Sequence, residues 1–428
     1  MLKIQVPSFQ YIRELTMVTK VFLFFLCSKG LVEAWLDLKN KRHIAANRNA
    51  VPEKFAHSID LPDHQKAADY SITKINVASF FKIIGYAFLL IWTLGGGLEA
   101  LDQFSQSFEK GPIITGLIFF GIFGAISMIL GLPESIFSTF VIEERFGFNK
   151  TTPKTFVTDM LKGLLLGCII GLPILAGLLW MIGALGNYWW VAGWAFLTSI
   201  QFILLWAYPR FIAPLFNKFS PMEEGDVKDK VLGLLERTGF TSNGLFVMDA
   251  SMRSSHGNAY FTGFGDNKRI VFFDTLIKTL NAEEVEAVLA HELGHFKRKH
   301  IMKQLVKAVI FSFIGFYILG LLYNWMPFYE GHGVSTSSSH MALLLFSMVS
   351  GFYTFFLTPL TSYTSRKYEF EADEFASKHS DPKSLITALV KMYKDNASTL
   401  TPDPTYSAFY HSHPPALVRV AHLEKLQN

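Results

Sequence analysis

Apolar and polar positions along this chain are sorted into long blocks. Seven apolar runs lie near 13–35, 79–99, 112–132, 162–183, 188–208, 303–325 and 340–362. Each is close to the roughly 20 helical residues needed to cross a hydrocarbon core about 30 Å thick. The pattern predicts an all-α polytopic membrane protein of about seven transmembrane helices. Lys20, Lys29 and Glu33 interrupt the first run, and as a peripheral helix it would leave six. Basic residues crowd the loop after the first run (Lys39, Lys41, Arg42, Arg48, Lys54, Lys66, Lys74), whereas 183–187 and 326–339 have none. Since Lys and Arg favour the cytoplasmic side, seven spans put the N-terminus outside and the C-terminus inside. Residues 209–302 and 363–428 then share the cytoplasm.

Those two polar stretches read as halves of one small α+β domain, divided by two membrane crossings. The expected division is 1–208 for helices one to five, 209–302 for the first half of the domain, 303–362 for helices six and seven, and 363–428 for the second half. Within the first half, 222–237 has a helical charge pattern and Leu245 to Asp249 reads as a strand. Aromatic and β-branched residues from Asn258 to Phe264 and from Arg269 to Phe273 flank Gly265-Asp266-Asn267, a hairpin signal. Asn281 with Glu284 three residues on forms a capping box, and Val285, Val288 and Leu289 continue at helical spacing.

Composition agrees with the block pattern. Half of the 428 residues are hydrophobic, 17% are charged, and Phe occurs 41 times, a balance suited to lipid contact. A net charge of +4 argues against nucleic acid as a partner. Cys27 and Cys168 both fall in apolar runs, so neither a disulfide framework nor a thiolate metal site is expected. The segment Met1 to Glu14 lacks the apolar core and small-residue cleavage site of a signal peptide, so the first run is expected to stay as an anchor.

The candidate chemistry begins at His291-Glu292-Leu293-Gly294-His295. Four residues apart on a helix, two imidazoles project from one face and can grip one tetrahedral ion, while Glu292, rotated by about 100°, is placed to take a proton from water at that ion. With 13 His and 35 acidic residues in the chain, such a pattern arises by chance about 0.03 times. A third ligand is found in Ser365 to Asp373, where Glu369 and Asp373 are four apart. Glu369 fits the ligand and Asp373 the carboxylate that accepts a ligating histidine's other N–H. Glu371 has no evident task in this reading, and His256, His300 and His411 are taken as solvated or locally satisfied. Of the charges within spans, Lys29 and Glu33 are spaced to pair, whereas Lys82 and Lys307 are expected to snorkel. A bare zinc-stabilised membrane protein remains as the non-catalytic alternative, but a structural site needs no base beside its first ligand.

Together with Glu143-Glu144-Arg145-Phe146-Gly147-Phe148-Asn149 and Pro214-Leu215-Phe216-Asn217-Lys218-Phe219, these motifs resemble those of the CAAX prenyl protease 1 family, zinc-dependent membrane endopeptidases. The likeness runs from about residue 60 to the end. It implies one Zn²⁺ per chain, helices enclosing a water-filled chamber, and a peptide or protein substrate, prenylated at its C-terminal Cys-a-a-X, that loses its last three residues. A quality-control protease without prenyl specificity is the alternative. The resemblance also implies that Asn258 and Tyr260 of Asn258-Ala259-Tyr260 line the cleft, that His413 of His413-Pro414-Pro415 binds the developing oxyanion, and that Arg419 orients the substrate or a site carboxylate. The expected setting is the endoplasmic reticulum membrane in a eukaryote or the inner membrane in a bacterium, with the active site toward the cytoplasm.

Overall fold

The computed structural model describes residues 15–262 and 268–427. Among these, six helices are long and apolar enough to cross a membrane. The chain opens with α1 (Met17–Asn47), followed by α2 (Leu61–Trp92), the short α3 (Gly97–Gln106), α4 (Pro112–Glu143), α5 (Pro153–Ala184) and α6 (Gly186–Phe216). A four-stranded sheet and the soluble helix α7 (Asp226–Arg237) come next. They lead to α8 (Ala282–Lys297), α9 (His300–Leu322) and α10 (Ser339–His379). The chain ends with α11 (Pro382–Asp395), α12 (Pro404–Tyr410) and α13 (Ala416–Lys425).

Apolar side chains cover the outside of the spans: Ile83, Leu165, Ile169, Leu321 and Leu360 are all exposed, which suits lipid rather than water. Three spans widen by a π-type turn, at Ser138–Glu143, Gly167–Gly171 and Tyr208–Ile212. Pro173 and Pro209 lie in or beside two of these turns, where a missing N–H loosens the helical ladder.

Several spans differ from the sequence expectation in length. The run at 79–99 is a helix from Leu61 to Trp92 that stops before Gly95-Gly96-Gly97, and the run at 340–362 continues, through one 3₁₀ turn at Phe355–Leu357, to His379. Hydropathy marks the lipid-facing part of a helix, while its backbone ladder continues into the polar domain. The run at 13–35 belongs to α1, whose charges keep it out of the six.

Those intramembrane charges are paired inward. Lys29 Nζ lies 3.2 Å from Glu33, and Tyr86 Oη donates to Glu33 at 2.7 Å. Lys82 does not snorkel as expected: it reaches Asp37 on α1 at 2.8 Å, beside Ser79. Lys307 donates to Tyr368 Oη at 3.2 Å instead of turning outward. A charge facing lipid is costly, and a partner on a neighbouring helix offsets part of that cost.

The sheet runs β1 (Phe219–Pro221), β2 (Leu245–Met248), β4 (Arg269–Phe273) and β3 (Ala259–Thr262) across its width. β3 and β4 pair antiparallel as the expected hairpin, β2 and β4 pair parallel, and the turn signal at 265–267 lies outside the described residues. One hydrophobic core joins Leu234 of α7, Phe272 of β4, Val285 and Leu289 of α8, Ala376 of α10 and Leu385 of α11. Residues from before α9 and after it thus pack into a single core.

Candidate metal centre

Asn281 caps α8 by accepting from the Glu284 amide, while the Glu284 side chain accepts from the Asn281 amide. This satisfies two amides left free at the helix start. The same helix buries Val285, Val288 and Leu289 and turns His291 and His295 toward α10. Gly294, between the two histidines, allows the approach: a Cβ there would stand 2.8 Å from Ala372 Cα and 2.9 Å from its carbonyl oxygen. Backbone contact at Gly294 and Ala372 is what brings Glu369 to the histidines.

His291, His295 and Glu369 form a group able to hold a metal ion. The two imidazole Nε2 atoms are 3.2 Å apart, and oxygens of Glu369 lie 3.4 Å from His291 Nε2 and 3.3 Å from His295 Nε2. A tetrahedral zinc ion with ligand bonds of about 2.0–2.1 Å spaces its ligand atoms by about 3.3–3.4 Å, so the observed edges fit. Glu369 Oε2 is also buried with no hydrogen-bond partner, and Arg419 Nη1 comes no nearer than 3.7 Å, so a cation at the common centre would offset the cost of its burial.

The supporting contacts orient both imidazoles. Asp373, fully buried, lies 2.8 Å from His291 Nδ1, which turns Nε2 toward the common centre. Burial and the Arg419 charge push the His291 imidazole down, but hydrogen bonds with Asp373 and Glu369 outweigh them and raise its pKa to about 9. A cation entering the site would therefore displace a proton there. Arg419 is buried as well, with Nε 2.9 Å from Asp373 Oδ2 and Nη2 2.7 Å from Oδ1. Desolvation lowers the guanidinium's pKa, yet the Asp373 and Glu369 charges carry it above its ordinary value. The side chain is thus held between the two site carboxylates, with Nη2 also 2.8 Å from His291 Nδ1.

The second histidine has a partner that sequence reasoning passed over. His295 Nδ1 meets His300 Nδ1 at 3.1 Å, and His300 Nε2 meets Glu371 at 2.9 Å. A carboxylate only accepts, so neutral His300 donates through Nε2 and accepts on Nδ1 from His295, leaving the His295 Nε2 lone pair for an ion. His300 is buried and stacks on Tyr368 at a centroid distance of 4.3 Å. Of the two readings expected for His300, solvated or locally satisfied, the geometry shows the second, and it gives Glu371, left without a task by the sequence, the role of its acceptor. The available signal was spacing: His300 begins the next helix, five residues after His295. His300→Ala is expected to weaken metal affinity by about 10–100-fold, measured by competition with a chelating indicator, while Lys303→Ala nearby leaves it unchanged.

Of the remaining candidates, His413 Nε2 is 3.4 Å from Glu369 Oε1 and its ring is 65% exposed. Glu292 is half-buried on α8, and no hydrogen bond or ion pair engages it among the described residues. Asn258 is exposed at the head of β3. Tyr260 is not brought to this group: Ala259 and Phe261 face the core shared with α8, whereas Tyr260 packs on the opposite face with Phe273 and Met248. Strand alternation accounts for that placement.

A helical membrane bundle capped by a two-histidine, one-carboxylate group on paired helices defines the class of membrane-embedded metallopeptidases. Residues 40–218 match the family described as CAAX prenyl protease N-terminal, five membrane helices, and residues 221–427 match Peptidase family M48. The CAAX prenyl protease 1 homolog of Arabidopsis thaliana is 34% identical over 92% of this chain and 95% of its own length. CAAX prenyl protease 1 of Saccharomyces cerevisiae is 33% identical over 92% of each chain, and the Homo sapiens homolog 30% identical over 95% of each. The crystal structure of S. mikatae Ste24p superposes with a TM-score of 0.90 at 30% identity, covering 96% of this chain and 99% of that one. The chain belongs to the CAAX prenyl protease 1 family.

Proposed function

We propose that this protein is a zinc endopeptidase that removes the C-terminal tripeptide of prenylated Cys-a-a-X proteins at the membrane. Family membership supports the reaction class and the names of its relatives support the substrate. The observation that carries the reading is that His291 Nε2, His295 Nε2 and oxygens of Glu369 stand 3.2–3.4 Å apart, the edge length of a tetrahedral zinc site.

His291, His295 and Glu369 would hold the zinc, which would supply a Lewis acid to polarise the scissile carbonyl and acidify water. Glu292 takes the proton of the attacking water and delivers it to the leaving amine. His413, exposed beside Glu369, donates to the oxyanion as the carbonyl becomes tetrahedral. Asp373, with Arg419 behind it, and His300, with Glu371 behind it, keep both imidazoles aimed. The substrate backbone lies along the outer edge of β3, next to Asn258, as an added strand.

In this reading α1 is a seventh span. Its 31 residues make a rod of about 46 Å, and its charges point to partners on α2. Residues 209–302 and 363–428 form the cytoplasmic domain. The membrane is that of the endoplasmic reticulum in a eukaryote or the inner membrane in a bacterium.

The test is a peptidase assay in detergent with a prenylated Cys-a-a-X peptide and its unprenylated twin. Cleavage of the prenylated peptide that a chelator stops and added zinc restores is expected. Equal kcat/KM for both peptides would instead assign the quality-control activity.

A further inference from the structure

The motif from Glu143 to Asn149 and His256 are left without a task by the chemistry above, yet the fold joins them. At the cytoplasmic end of α4, Gly147 turns the chain at φ +80°. The following residues then run antiparallel to 253–255: Lys150 N donates to Arg253 O at 3.1 Å, Ser255 N donates to Phe148 O at 3.2 Å, and Asn149 bridges Ser254. The Phe148 ring stacks on His256 at 4.5 Å, and Glu143 Oε2 lies 3.5 Å from His256 Nε2. Glu143 is itself held by Tyr70 Oη of α2 at 2.5 Å. On its other side, His256 Nδ1 meets Asn396 Oδ1 at 3.1 Å, and that oxygen also accepts from the Gly257 amide at 3.1 Å.

His256 is therefore gripped from the membrane bundle and from the end of α11 together, and β3 begins three residues later at Ala259. β3 is one of the two edge strands of the sheet, the one along which the proposed function lays the substrate. Pairing on such an edge is sensitive to position, because a displacement of one residue presents the opposite face.

We infer that Glu143 and His256 are positioning residues for substrate: they tie the start of β3 to the membrane bundle and so align the edge that receives the peptide. The inference rests on the proposed peptidase reading for its kinetic consequence, and on geometry alone for the tie itself. Neither residue touches the metal group, so the tie acts on binding of the peptide and leaves the ion in place.

The test uses purified full-length protein loaded with zinc, with His256→Ala, His256→Gln and Glu143→Gln beside wild type. Two prenylated peptides share one scissile bond and the same C-terminal tripeptide; one begins at the prenylated cysteine and the other extends several residues upstream of it. His256→Ala is expected to raise KM for the extended peptide about tenfold, to raise it less for the short one, and to change neither kcat nor zinc content by more than about threefold. His256→Gln, which keeps a donor toward Asn396, is expected to recover most of the loss. Amide hydrogen exchange over 257–262 reads the tie directly and is expected to quicken in His256→Ala. Unchanged exchange overturns the inference, as does unchanged KM for the extended peptide, or a parallel fall in kcat and zinc content that marks general damage. Wild type that cleaves neither peptide counts against the peptidase reading, and hydrogen exchange still decides the tie.

Discussion

Glu292→Gln is expected to lower kcat by about 10²–10⁴-fold while the protein keeps its zinc. Glutamine matches glutamate in shape but cannot take a proton, so the substitution removes one step and leaves the ligands alone. Glu292 is half-buried and unengaged by any other described side chain, so no ion pair is lost with its charge and folding is expected to be unaffected. Parallel measurement of turnover and of zinc per chain separates the outcomes. If turnover persists at the wild-type rate, Glu292 is not the base and the metal group has a different purpose; if zinc is lost with turnover, the residue is holding the ion or its ligands.

The part of this site that was legible in the sequence is the part that is local. His291, Glu292 and His295 lie within one helical turn and a quarter, and helix geometry alone predicts which of them share a face. Glu369 and Asp373 were legible for the same reason, and the structure places Asp373 against His291 and Glu369 between the two imidazoles. His300 and Glu371 were not, because their meeting depends on the break after Arg298, where Lys299 adopts φ +60° and turns α9 back toward α10. No periodicity reports such a turn.

The membrane part divides in the same way. Hydropathy located each span but not its ends, since α2 and α10 carry their ladders well into polar sequence. The inward pairing of Lys82 with Asp37 depends on how α1 and α2 rotate against each other, a tertiary fact that an isolated lysine in an apolar run does not disclose. Tyr260 was assigned to the cleft by likeness of motif, and strand alternation turns it to the other face of the sheet.

Removing the buried cation at Arg419 is expected to have the largest effect on stability. The guanidinium makes paired hydrogen bonds to Asp373 at 2.7 and 2.9 Å and lies 3.7 Å from Glu369. All three residues are buried, so water cannot replace what the substitution removes. Breaking such a pair on one side costs about 3–5 kcal/mol, because the carboxylate left behind stays desolvated. Arg419→Met should therefore lower the apparent melting temperature in detergent by about 3–6 °C. The double variant Arg419→Met with Asp373→Leu replaces both charges by apolar groups of similar bulk, and part of the lost stability should return. Zinc affinity should instead fall in the double variant, since His291 Nδ1 then lacks its acceptor. Stability and metal binding would thus move in opposite directions between the single and double variants, and a melting temperature that ignores Arg419→Met would show that the pair contributes nothing to holding α13 against α10.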